Sequence, residues 1–76
     1  MAIQTLVFNT TTKNVKVYEG EEESSKILYV FSNVPTVRVS EQNYYEVMQS
    51  DNTSSEEKRV PVGRFPISIT NMLIKK

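Results

Sequence analysis

Lys58, Arg59 and Arg64 bracket the segment Val60-Pro61-Val62-Gly63. A guanidinium offers a planar fork of donors that matches phosphate, and a lysine adds a point charge. The proline and glycine give the backbone between these cations an irregular, rigid course, and irregular rigid segments are where binding residues concentrate. Gly63 has no Cβ to hold a ligand away. The chemistry open to this pattern is the binding of an anion, with phosphate the natural guest. The same residues also have a plainer use. The cations offset Glu56 and Glu57, and the prolines guard an exposed sheet edge.

Other groups carry weaker signals. Tyr44-Tyr45 lies in a strand-like stretch, where adjacent side chains point to opposite faces. One ring is therefore core, while the other is a platform for a base or an anchor for a partner. Glu41 and Glu46 could work as an acid/base pair, but nothing in the sequence places them in a pocket. Glu19 with Glu21 to Glu23 lacks the Asp/Asn-Gly spacing of a calcium loop and reads as a solvated turn. The chain has no Cys and no His. Disulfides, thiolate catalysis, a histidine general base and His- or Cys-ligated zinc are excluded together. Carboxylates, Lys, Tyr and Ser remain, with 76 residues to desolvate them. No enzyme, metal or cofactor is expected.

The elements that must position these residues are strands. Val, Ile and Thr number 22 together, whereas Ala, the best helix former, occurs once. Residues 2–18 read as a hairpin, with Asn9 to Asn14 as its turn. Lys26 to Ser32 is apolar on both faces and is expected to be the central strand. Asn33 and Pro35 mark a bend or an edge before Thr36-Val37-Arg38-Val39, which pairs with Tyr44 to Gln49 as a second hairpin. Residues 50–57 are polar throughout and read as a mobile loop. Val60 to Ile69 alternates but holds two prolines and a glycine, which no central strand tolerates, and Asn71 to Ile74 closes as a last strand. The expectation is one all-β domain over residues 1–76. It would be a small barrel or compact sandwich of six or seven short antiparallel strands.

A chain this short supplies only ~3–5 kcal/mol from a single core, and disulfide and zinc staples are absent. Self-association is the remaining staple, so a homo-oligomer is expected. Nine Lys and Arg balance nine Asp and Glu, which argues against duplex DNA as a partner. The charge is uneven: residues 56–76 carry five cations against two carboxylates. There is no apolar run of membrane-spanning length and no basic leader, so no membrane association and a cytoplasmic location are expected.

The stretches Phe8 to Val15, Tyr44 to Val47 and Val60 to Ile74 resemble short accessory proteins of tailed bacteriophages. Some of these are similar to viral sponges, oligomers that sequester the cyclic nucleotide signals of bacterial immunity without degrading them. The resemblance implies a nucleotide-binding oligomer in the host cytoplasm, with basic and aromatic residues at subunit boundaries. On that reading Lys58, Arg59 and Arg64 pair with phosphate, Tyr44 or Tyr45 stacks a base, and Thr70 and Asn71 read its polar edge. The rival reading is a protein–protein module, either a phage inhibitor of a host protein or a virion accessory, working through an edge strand or a Tyr/Phe patch.

Overall fold

β-Branched residues at alternating positions, with no stretch of good helix formers, produce seven strands and a 3-10 turn among the described residues of the computed structural model. It describes residues 2–23, 26–51 and 58–76 and, for Asp51 and Lys58, the backbone alone. The strands are β1 (Gln4–Asn9), β2 (Asn14–Glu19), β3 (Ile27–Phe31), β4 (Thr36–Val39), β5 (Tyr44–Asp51), β6 (Lys58–Pro66) and β7 (Thr70–Lys75), with the 3-10 turn at Ile67–Ile69. One sheet has the order β3-β2-β1-β7 and the other β4-β5-β6. The all-β expectation holds, as do the two hairpins β1–β2 and β4–β5.

The core forms between the sheets. Leu6 and Phe8 of β1 and Val15 and Val17 of β2 meet Val47 of β5 and Phe65 of β6, with Val34 entering from the connection before β4. Phe31, Val37, Tyr45 and Met72 pack around this cluster. The alternation read in β1, β2 and β5 is the alternation of these inward positions.

Three expectations are corrected. The strand over residues 26–32 is not central: β3 is an edge strand, and Ile27, Leu28, Tyr29 and Val30 are all exposed. The inner position belongs to β1, whose outward Thr5 and Val7 are also buried. Thr5 is covered by the segment after β2 and donates its hydroxyl to the Gly20 carbonyl at 2.9 Å. The strands are not all antiparallel. β7 pairs with β1 in parallel, from Gln4 opposite Thr70 to Asn9 opposite Lys75. Sixty residues of intervening chain give ample length for the crossover that parallel pairing requires. Ser50 and Asp51 are strand rather than loop, ending β5. The rest of the expected mobile loop, residues 52–57, lies outside the described residues.

The proline-rich stretch forms β6, an edge strand. Edges tolerate a missing ladder donor, which is why Pro61 can sit within it. The register slips between Val47 and Met48, where Val62 is the extra residue on the β6 side. Pro66 then ends β6, and the 3-10 turn carries the chain back to the first sheet, where Ile3 donates to the Ile69 carbonyl at 2.8 Å.

Candidate functional site

The cations predicted to act together are separated. Arg64 stands opposite Glu46, whereas Arg59 stands opposite Ser50, near the other end of the β5–β6 ladder. Four residues of strand lie between the two arginines, five steps and roughly 16 Å of rise. The backbone of Lys58 pairs with Asp51 at that far end.

Arg64 is engaged in a ladder that spans the three-stranded sheet. Glu46 on the middle strand has Arg38 opposite it on β4 and Arg64 opposite it on β6. Arg38 donates Nε to Glu46 Oε1 at 3.0 Å, and Arg64 donates Nε to Oε2 at 2.9 Å. Both arginines are exposed, yet Glu46 beneath them is only 3% exposed. Burial pushes its carboxyl up, but the two guanidinium hydrogen bonds and charges outweigh that and hold it below the ordinary value of 4.5. Glu46 thus has a pocket that nothing in the sequence indicated. It lines an open depression of about 400 Å³ with Arg38, Arg64 and Glu41. Among the described residues the two cations and two carboxylates there cancel, which gives an anion no net attraction.

Arg59 lines a different depression of about 530 Å³, with Thr11, Thr12, Lys13, Asn33, Pro35 and Ser50. Two cations, three hydroxyls and an amide meet here, and among the described residues no carboxylate lines it. The walls come from three distant parts of the chain. Asn9 Oδ1 accepts from the amides of Thr11 and Thr12 at 2.9 and 3.0 Å, which shapes the β1–β2 turn. Val34 donates its amide to the Lys13 carbonyl at 2.8 Å, tying that turn to the β3–β4 connection. Ser50 donates its amide to the Asn33 carbonyl at 3.0 Å, tying the connection to β5. Lys13 and Asn33 both hold left-handed backbone, with φ of 57° and 56°. Asn adopts that region with help from its side chain, whereas a lysine there costs roughly 1–2 kcal/mol.

The aromatic and polar residues expected to complete a nucleotide site lie elsewhere. Tyr45 packs on the core while Tyr44 is exposed, the opposite-face division that the sequence implies. Thr70 is buried in the four-stranded sheet and accepts from Gln4 Nε2 at 3.0 Å. Asn71 donates Nδ2 to the Glu21 carbonyl at 3.0 Å, fastening the segment after β2. Neither tyrosine and neither of these β7 residues lines the Lys13–Arg59 depression.

The acidic stretch is solvated, as expected, although Glu19 ends β2 and only Glu21 to Glu23 lie beyond the strand. Glu23 pairs with Lys75, and Glu19 pairs with Lys26 at 3.2 Å. Among the described residues no group of three His, Cys, Asp or Glu is placed to hold a metal ion, and no helix is long and apolar enough to cross a membrane. Compared with family models, curated proteins and solved structures, the chain matches none.

Proposed function

We propose that this chain is a non-enzymatic protein that binds a small phosphorylated ligand in the depression of Lys13 and Arg59. The observation that carries the reading is Lys13 itself. It occupies a left-handed position that Gly or Asn would fill with less strain, and it lines the same depression as Arg59, which among the described residues has no carboxylate. Backbone strain retained at a charged residue points to a use for the charge. Arg59 supplies the planar fork, Lys13 the point charge, and Thr11 and Thr12 the hydroxyl donors for the remaining phosphate oxygens.

A cyclic nucleotide signal, implied by the resemblance to phage sponges, is the first member of this class to try. Among the described residues no aromatic ring lines the depression, so recognition rests on the phosphate. Nucleotides with different bases then bind alike. Sequestration needs nothing beyond such a site, since it forms and breaks no bond.

Calorimetric titration with inorganic phosphate and with cyclic mono-, di- and trinucleotides tests the reading. Each charge-assisted hydrogen bond contributes about 1.5–3 kcal/mol, so Arg59→Ala and Lys13→Ala each weaken binding about tenfold to a hundredfold. Arg59→Lys recovers part of the loss, because an ammonium cannot reproduce the fork. Arg64→Ala leaves binding within about twofold, since distant sites act independently. If no ligand in the panel binds more tightly than about 10 μM, roughly −7 kcal/mol, the reading fails. The protein–protein module is then the better account, and the exposed apolar strand β3 is the observation that favours it.

A further inference from the structure

Among the described residues the two sheets leave four edge strands, β3, β7, β4 and β6. An edge presents unpaired backbone donors and acceptors, and folded chains blunt such edges with charge, proline, irregularity or shortness. Three of the four are blunted here. β4 is four residues long, follows Pro35 and carries Arg38. β6 carries Pro61, Gly63, two arginines and a register slip. β7 runs into Lys75 and Lys76. β3 reads Ile27-Leu28-Tyr29-Val30-Phe31, without charge or proline. Its sole irregularity is Leu28, the extra residue where the β2–β3 register slips, and this leaves Tyr29 to Phe31 regularly paired.

Packing agrees. Among the described residues nine apolar side chains are buried while eleven large ones are exposed, and four of those eleven are the consecutive residues Ile27 to Val30. Tyr29 is 53% exposed although its ring stacks on Phe31 at 6.4 Å and tilts against Phe65 at 5.8 Å. It is the open rim of an aromatic cluster. Val30 points to the other face, opposite Lys16 in the ladder, and is 57% exposed.

We propose that β3 is a dimer edge, on which a second copy of this chain pairs its own β3 antiparallel about a two-fold axis at Val30. The occupant is argued from self-complementarity. In that register Val30 lies opposite its own copy, and Tyr29 lies opposite Phe31 twice, extending the aromatic cluster across the axis. The nearest formal charge along the chain is Lys26, at one end of β3. Antiparallel pairing sends the two Lys26 residues to opposite ends, so no like charges face each other. Head-to-tail pairing of β3 with β7 would instead leave both outer edges open and propagate without closing, whereas the two-fold closes at two copies. The four-stranded sheet becomes a continuous sheet of eight, with its one unprotected edge covered.

The test needs no ligand, so its failure is separable from that of the phosphate reading. Directly opposed residues of an antiparallel pair have Cα atoms about 4.5–5.5 Å apart, within disulfide reach. The chain has no Cys of its own. Val30→Cys is therefore expected to form a covalent dimer under mild oxidation, while Ile74→Cys on β7 does not. Sedimentation of the native chain is expected to show dimer at micromolar concentration, and Val30→Lys and Val30→Glu are each expected to sediment as folded monomers. Mixing those two charge variants restores the dimer, an outcome that damage to the fold could not produce. A native chain that stays monomeric overturns the proposal. So does a native dimer in which Val30→Cys fails to cross-link, cross-linking through Ile74→Cys instead, or failure of the mixed variants to associate.

Discussion

Glu46 accepts from two arginines that reach it from opposite neighbours, and its burial makes those hydrogen bonds its replacement for water. A carboxyl whose pKa is lower in the folded chain than in the unfolded one adds stability that is complete above the unfolded value. That stability is lost as pH falls through the folded value. Glu46 sits on this side of its ordinary 4.5. The native chain is therefore expected to lose thermal stability below about pH 4.5, and Glu46→Gln is expected to have a lower midpoint at pH 7 but a shallower acid decline. The two midpoint curves, followed by circular dichroism, converge as the pH drops. Parallel curves would mean that Glu46 does not set the acid limb. The Arg38→Ala/Arg64→Ala double variant is expected to lower the thermal midpoint by more than the two single variants' losses added together, because only the double strands a buried carboxylate without a cation.

At the scale of the element, Gly63 is where β6 meets β3. A Cβ built there would lie 3.0 Å from Phe31 Cζ and 3.1 Å from Phe65 Cε2. The glycine's use is thus steric, letting the aromatic cluster close against the second sheet. Gly63→Ala is expected to come out near neutral, because crowding of the rings is offset by about 0.4–1 kcal/mol from a less flexible unfolded chain. Gly63→Leu shares that offset but drives a much larger side chain into the rings, and is expected to cost about 1–3 kcal/mol, measured as a lower urea midpoint at unchanged slope. A neutral Gly63→Leu would show that the rings can move aside freely. The hairpins and the edge character of β4 and β6 were legible in the sequence, because period-two alternation and proline act locally. The placing of β3 was not. An apolar run reads the same whether neighbouring strands or a second molecule covers it, and the run in β3 is exposed in this chain. The candidate site was half legible for a related reason. Arg59 stood out beside its prolines, but Lys13 enters through a left-handed turn residue brought beside it by hydrogen bonds at Val34 and Ser50. Those contacts link positions far apart in the chain, and no spacing rule reports them.

At the scale of the molecule, the first and last strands are the ones that must find each other. β1 is an inner strand because β7 lies along it, and Gln4 on the first strand donates to Thr70 on the last. The pairing is locked at both ends, by the Ile3 amide on the Ile69 carbonyl and by the Thr10 amide on the Lys75 carbonyl. None of this can form until nearly the whole chain has been made, and the β5–β6 ladder alone cannot bury Leu6 and Phe8. Loop closure over such a separation precedes any reward from contacts, so folding is expected on the millisecond-to-second scale typical of non-local β topologies. It follows that β7 is indispensable despite its edge position. A chain ending at Ser68 loses six paired residues along β1 and uncovers its flank, a loss that a total stability of ~3–5 kcal/mol does not absorb. That truncation is expected to give the narrow amide dispersion of an unfolded chain. Adding a separate peptide of residues 69–76 at high concentration is expected to restore dispersed resonances, since the missing strand then binds as a ligand of the folded form. A truncated chain that folds unaided would show that the four-stranded sheet closes without its parallel pair.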